Sequence, residues 1–337
     1  MKKLLFSLSF AALLIQSCSN DFEVAAPWKE VPIAYAILSP KDTAHYVRVE
    51  KAFLDPETSA LQIAQIPDSL YYAENAIDVY LEEVNTGKRY QLNRVDGNLE
   101  GYVRQGGIFA TQPNWLYKTK ENIKPGNPYR LRIIRKDGQA DVTAQTSVPG
   151  NFFIQNPNQV ELPPKITFLR DKSSTVTWLT DVNGVFFKIN FRIRYRENAL
   201  NGTLIKRDTL YWTPIENIRR TNSQSSGSYI GTVPISAESF YRFLVENLPA
   251  APNSTRRFEG IDITLEGGGR EIDEYLESAT ANSGITGAEL VTTYTNLSEG
   301  FGIFTAKNVV TLANILVTPE TVNSMNQQSP ERDLSFQ

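Results

Sequence analysis

Along most of this 337-residue chain, apolar and polar residues alternate with a period of two, the pattern of strands with one buried and one wet face. A fully apolar run, "IAYAIL" (33–38), is followed by "HYVRVEKAFL" (45–54), which turns Tyr46 or Val47, Val49 and Phe53 toward a core. "IDVYLEEV" (77–84), Asn85-Thr86-Gly87 and "KRYQL" read as a hairpin. "YRLRIIRKDGQADVTAQTSVP" (129–149) reads as another, with Leu131, Ile133, Val142 and Ala144 around Asp137-Gly138, a type I′ signal. The longest alternation sets Phe187, Ile189, Phe191, Ile193 and Tyr195 against Lys188, Asn190, Arg192, Arg194 and Arg196. That strand has an apolar face and a basic face. "DTLYW" (208–212), "ELVTTYTNL" (289–297) and "FGIFTAKNVVTL" (301–312) are further strands.

The period changes to that of a helix in "ISAESFYRFLVENLP" (235–249), where Ser236 caps, Glu238 lies in the first turn, and Phe240, Phe243, Leu244 and Leu248 form a stripe. Asp55-Pro56-Glu57 opens a short helix through Leu61 and Ala64 that Pro67 stops. "FEGIDITLEGGGREIDEYLESATANSG" (258–284) reads as strand, glycine turn and helix. The expected fold is mainly β: two β-sandwich-like modules of immunoglobulin or fibronectin III type, the second with two or three short helices. The first module spans 32–154, a proline-rich linker 155–165, and the second module 166–322, with a polar, disordered tail over 323–337.

The start of the chain has a different logic. Lys2 and Lys3 precede twelve residues, Leu4 to Ile15, that are apolar except for Ser7 and Ser9. As a helix these reach about 18 Å, short of a hydrocarbon core of about 30 Å, so they read as a secretory signal peptide over 1–17. Leu14-Ile15-Gln16-Ser17-Cys18 resembles the lipobox of bacterial lipoproteins, with Gln16 departing from the usual small residue. The resemblance implies a thioether-linked diacylglycerol on Cys18, cleavage before it, and further acylation such as palmitate. Several acyl chains hold a protein stably where one does not. Residues 18–31 then form a lipidated tether, and Asp21 and Glu23 resemble the acidic signal that sends Bacteroidota lipoproteins to the outer face of the outer membrane.

Removing residues 1–17 takes away two lysines and no acid, shifting the net charge from −3 to −5, which offers nothing to nucleic acid. Cys18 is the one cysteine, so a chain with 17 Phe, 15 Tyr and 4 Trp, of which Phe6 and Phe10 fall in the signal peptide, must close its cores without a disulfide. With His45 as the one histidine, a two-histidine metal site cannot form from one chain, and no cofactor is implied. A Ser-His-Asp triad could use only His45. Glu266-Gly267-Gly268-Gly269-Arg270-Glu271 lacks the Gly-Lys-Ser/Thr ending of a phosphate loop and reads as a tight turn. Asp181-Val182-Asn183-Gly184 begins like a calcium loop but lacks the later ligands, and reads as a hairpin turn. No carboxylate pair stands out from solvated surface. Asp42-Thr43-Ala44, Asp68-Ser69-Leu70 and Asp208-Thr209-Leu210 resemble the O-glycosylation sequon of exported Bacteroidota proteins, which would make Thr43, Ser69 and Thr209 acceptors.

"YAILSPKDTAHYVRVEKAFL", "PYRLRIIRKDGQADVTAQTSVP" and "YTNLSEGFGIFTAK" together resemble an uncharacterised family of Bacteroidota surface lipoproteins, often encoded near TonB-dependent transporters. The family's C-terminal signature is similar to Asn296-Leu297-x-x-Gly300-Phe301-Gly302-Ile303-Phe304. Glycines there permit unusual dihedrals while Phe301, Ile303 and Phe304 anchor the segment in a core. The resemblance gives no activity. The expected protein is a non-enzymatic, lipid-anchored, exterior-facing outer-membrane lipoprotein, a subunit or accessory of a transport, export or assembly complex. Its partner would be an outer-membrane β-barrel or another surface lipoprotein. The alternative is a glycan- or nutrient-binding lipoprotein using exposed Trp28, Trp115 or Trp212, followed by a carboxylate-based hydrolase.

Overall fold

The structure, a computed structural model, describes residues 30–52, 59–160, 162–220, 228–282 and 293–337. The fold is mainly β, of sandwich type. In the first half, β1 (Val31–Leu38), β2 (His45–Ala52), β5 (Asn93–Asp96) and β6 (Trp115–Thr119) lie in one sheet. Two single-turn helices, α1 (Ala60–Ile63) and α2 (Pro67–Leu70), follow β2. β3 (Ile77–Glu83), β4 (Lys88–Gln91), β7 (Pro128–Arg135) and β8 (Val142–Ser147) form the facing sheet, in the order β4-β3-β7-β8. Their inward residues make one core: Ala34, Leu38, Val47 and Val49 against Val79, Leu81, Leu131, Ile133 and Val142.

The second half holds β9 (Phe153–Asn156), β10 (Lys165–Ile166), β11 (Ser173–Thr180), β12 (Phe186–Ala199), β13 (Leu204–Arg219), β14 (Tyr229–Ser236), β15 (Ser254–Gly268) and β16 (Phe301–Val317). Its helices are α3 (Ala237–Asn247), α4 (Arg270–Asn282) and α5 (Pro319–Met325). β14-β11-β9 is a small sheet of its own, and β13-β12-β15-β16 packs on it and on α3. All five apolar residues of the β12 alternation are buried, from Phe187 to Tyr195, as the period of two requires. α3 begins where Ser236 accepts a hydrogen bond from the Ser239 amide, and its stripe buries Phe240 and Leu244.

One strand joins the two sandwiches. The C-terminal part of β16 pairs antiparallel with β15, while Phe301–Ala306 pair parallel with Ile33–Leu38 of β1. The result is a continuous sheet running β13-β12-β15-β16-β1-β2-β6-β5. Phe304 and Ala306 belong to the first core although they lie in the stretch 166–322. The close approach depends on Gly300 and Gly302, at φ +87° and +131°, where a β-carbon would collide with the carbonyls of Pro32 and Ala34. Asn296 completes the join: its carboxamide accepts from the Phe304 amide at 2.9 Å and donates to the Phe304 carbonyl at 2.7 Å.

Several expectations are corrected. The tail over 323–337 is ordered: the Met325, Leu334 and Phe336 side chains are buried in the second core. Arg256, itself buried, donates to the carbonyl of Leu334, and backbone bonds tie it to Ser335 and Gln337. A polar composition concealed these few apolar anchors. "ELVTTYTNL" gives no strand over its described part, 293–297, where only Thr295 bridges to Gly302. Phe301, paired with Ile33, is exposed, while Ile303 and Phe304 are buried. The Asp137-Gly138 loop runs from Lys136 to Asp141, and of the two residues only Gly138 has positive φ, so it is not a type I′ turn. Asp181–Gly184 connects β11 to β12 in different sheets and is therefore an arch, not a hairpin. The expected glycine turn shrinks to Gly269: Glu266, Gly267 and Gly268 belong to β15, paired with β12 and β16, with Gly267 lying against the rings of Phe152 and Phe187, and α4 begins at Arg270.

Candidate functional site

Between β5 and β6 the chain makes a long excursion, residues 97–114, whose large apolar side chains face solvent while Ala110 packs inward against Leu70 and Tyr71. Leu99 is 88% exposed and Val103 63%, and Tyr102, Ile108 and Phe109 are exposed as well. A loop with this many uncovered apolar groups would collapse unless its backbone were held. It is held by carboxamides and a carboxylate standing in for strand partners. Asp96 Oδ1 accepts from the amides of Asn98 (3.0 Å) and Asn114 (3.1 Å). Asn98 accepts from the Arg104 amide at 3.0 Å and donates to the Thr111 carbonyl at 3.0 Å. Asn114, fully buried, donates to the Tyr102 carbonyl at 2.7 Å.

Side chains then fasten the loop to the sheet. Arg104 Nη1 donates to Glu50 Oε1 at 2.7 Å and to the Tyr71 hydroxyl at 2.6 Å, with its guanidinium 5.2 Å from the Phe109 ring centroid. Burial works against the Arg104 charge, but Glu50 outweighs it and raises the pKa. The rings of Tyr46 and Tyr102 stand 4.6 Å apart. The Tyr46 hydroxyl and Lys118 both donate to Glu100, and Lys118 holds the Glu100 carboxyl below its usual range. On the other side Gln65 donates to the Ile108 carbonyl at 2.6 Å, and the Ala110 amide to that of Ala64 at 2.8 Å. Leu61 and Ile66, on this hydrogen-bonded segment, add exposed apolar surface.

The loop has a definite place in the molecule. β1 and β2 pair Val31 with Ala52 and Ile33 with Glu50, and Glu50 is the residue that Arg104 grips. The apolar loop therefore sits at the end of the sheet where β1 begins, the end at which the segment from Cys18 enters.

The other residues singled out in the sequence are scattered. Cys18 and Trp28 lie outside the described residues, as does Phe53. Thr43 is exposed in the turn between β1 and β2, Ser69 is half-buried in α2, and Thr209 is half-buried in β13 opposite Arg194. Trp212 is buried against Phe191, Phe240 and Phe243. Trp115 is half-buried, with the Arg94 guanidinium 4.4 Å from its ring centroid. A sugar-stacking platform is thus not built from these two. His45 is buried at the far end of β2 from the loop, with both ring nitrogens unpartnered, and burial lowers its pKa against the pull of Asp42. Among the described residues no group of three His, Cys, Asp or Glu could hold a metal ion. No described helix is long and apolar enough to cross a membrane.

Sequence reasoning passed over Leu99, Val103, Ile108 and Phe109. The available signal was a glycine-rich stretch, "GNLEGYVRQGGIFA" (97–110), carrying large apolar residues that fit neither a period of two nor one of 3.6. In comparisons with known proteins, no family model and no curated protein matches the chain.

Proposed function

We propose that the chain is a lipid-anchored, non-enzymatic accessory subunit of an outer-membrane protein complex, tethered through Cys18 and facing the cell exterior. It docks through the loop over 97–114 onto a membrane-embedded β-barrel. What carries this reading is the placement of the exposed apolar loop at the anchored end of the sheet. A tether over 18–30 spans at most about 45 Å when extended, so that end stays near the membrane plane. Fully covering each large apolar side chain is worth about 1.5–3 kcal/mol, and Leu99, Val103, Ile108 and Phe109 stand ready for it. The loop's bracing lowers the ordering cost on association. The resemblance of the chain to surface lipoproteins encoded near TonB-dependent transporters supports a barrel as the partner.

The test is a pulldown of tagged protein from gently solubilised outer membranes, with partners identified by mass spectrometry. A stoichiometric β-barrel recovered with the native chain, and lost with the triple variant Val103→Ser/Ile108→Ser/Phe109→Ser, is the expected result. Recovery of the lipoprotein alone, or undiminished recovery by the triple variant, would overturn the reading.

A further inference from the structure

The basic face of β12 points away from the core, and the register of the neighbouring strands arranges its side chains in rows. One row is neutral: Thr213 donates to Asn190 at 2.8 Å, Asn190 lies opposite Thr264, and Thr264 and Thr311 share a hydrogen bond of 2.9 Å. The next holds Tyr211, Arg192 and Asp262, and the one after it Thr209, Arg194 and Gly260. The last consists of Arg207, Arg196 and Arg257, directly opposite one another on three adjacent strands.

That last row is electrostatically unfavourable as it stands. Directly opposed residues have β-carbons about 5 Å apart, and like charges so placed destabilise a sheet. Two of the five arginines are satisfied through Asp262: Arg192 donates to it from Nε at 2.8 Å, and Arg194 Nη2 reaches it at 3.2 Å and Asn314 Oδ1 at 2.8 Å. Gly260 makes room for this, since a β-carbon there would stand 2.9 Å from Arg194 Nη2. Arg207 has Glu259 at 2.9 Å. Arg196 and Arg257 have no partner among the described residues, and Arg196 Nε is buried without one. Five guanidinium groups thus share two carboxylates, in a chain whose net charge is −3.

Beside these arginines lies a groove of about 450 Å³, lined by Asn190, Arg192, Tyr211, Thr213, Asp262 and Thr264 among others. The Tyr211 residue is 74% exposed at its edge. Guanidinium forks match the oxygens of phosphate and sulfate. Hydroxyls, a carboxamide and an open aromatic ring match the hydroxyls and the apolar face of a sugar. Successive rows are two residues apart along a strand, so the Tyr211 row and the Arg196 row are separated by about 13 Å.

We infer that this face binds an oligosaccharide bearing phosphate or sulfate groups. The acid groups sit on the Arg207-Arg196-Arg257 row, and a sugar ring lies against Tyr211 within reach of the Thr213-Asn190-Thr264 row. The inference is independent of the loop at 97–114, which lies on other strands.

The experiment is titration calorimetry of the full mature chain in detergent, with a sulfated heparin hexasaccharide as probe and uncharged maltohexaose as its comparison. The hexasaccharide binds saturably, its affinity falls as salt rises, and maltohexaose gives no saturable binding. Arg196→Gln/Arg257→Gln weakens the hexasaccharide at least tenfold, while raising the unliganded thermal midpoint by relieving the opposed charges. Tyr211→Ala weakens it at least threefold. Absence of hexasaccharide binding, or unchanged affinity in the double variant, would overturn the proposal. So would binding of phosphatidylglycerol vesicles, lost in the double variant, without hexasaccharide binding, which would assign the row to a membrane surface. Inorganic phosphate binding as tightly as the hexasaccharide would likewise refute the saccharide assignment.

Discussion

Gly302 lies directly beside Ala34 in the parallel pair that joins the two sandwiches, so close that a β-carbon on the glycine would collide with the Ala34 carbonyl. The obstructing atoms are backbone, which cannot swing aside, and φ at Gly302 is +131°. Gly302→Ala should therefore cost about 3 kcal/mol or more, from overpacking and strain together. Gly87→Ala is the control: φ is also positive there but the space is open, so about 1–2 kcal/mol is expected. Urea unfolding of both variants checks the contrast, and equal losses would mean that the join is not tight.

Asn114 holds the apolar loop from beneath. Asn114→Ala leaves the Tyr102 carbonyl without its donor, at a cost of about 1–3 kcal/mol. The loss should be local. Hydrogen exchange is expected to quicken over 97–112 while β7 and β8 keep their protection, and barrel recovery in the pulldown should fall. Uniform acceleration through the first sandwich would show that the loop is not a separately braced unit.

The C-terminal segment depends on one buried cation. Arg256 meets Glu197 at 3.1 Å and donates to the carbonyls of Pro249 (2.8 Å) and Leu334 (3.3 Å). Removing it leaves the Glu197 carboxylate with the Ser254 hydroxyl but no charge partner and frees those carbonyls, so Arg256→Ala should cost about 3 kcal/mol. Limited proteolysis should then cut within 326–337 under conditions where the native chain resists.

Glu271 gives a pH dependence of known sign. Burial raises its pKa, against the pull of its own helix-end amide and the Thr146 and Thr305 hydroxyls. With a folded pKa above the unfolded value, the folded state binds the proton more tightly. The stabilisation is present below the ordinary carboxylate range and is lost as pH rises through the folded pKa. Glu271→Gln should accordingly be more stable than the native chain at pH 8, with the gap closing toward pH 4. A thermal-melt series in both proteins measures this, and a variant less stable at pH 8 would refute it.

Cys18→Ser removes the thiol needed for a thioether. Labelled palmitate incorporation should vanish and the protein should leave the membrane fraction. Persistence in that fraction, with label, would refute the anchor.

Strands and their faces were readable because period-two alternation is a local property. β12 is the clearest case, with every residue from Phe187 to Tyr195 on its expected side. Which strands pair is not local. Nothing in residues 33–38 announces residues 301–306 as neighbours, so the shared sheet stayed hidden, as did the alignment of Arg196, Arg207 and Arg257. The tail misled because Met325, Leu334 and Phe336 are few anchors among polar residues. The loop at 97–114 was opaque because asparagine side chains, rather than a repeating pattern, fix its backbone.

The strand shared by both sandwiches also bears on timing. β1 leaves the ribosome well ahead of Phe301–Ala306, which complete its sheet. Until then the first sandwich has an open edge and a core without Phe304, so neither half can finish folding ahead of the other. For the exported lipoprotein proposed above, that arrangement would keep the chain open for threading across a membrane. β1 cannot lock into its sheet until β16 has been made.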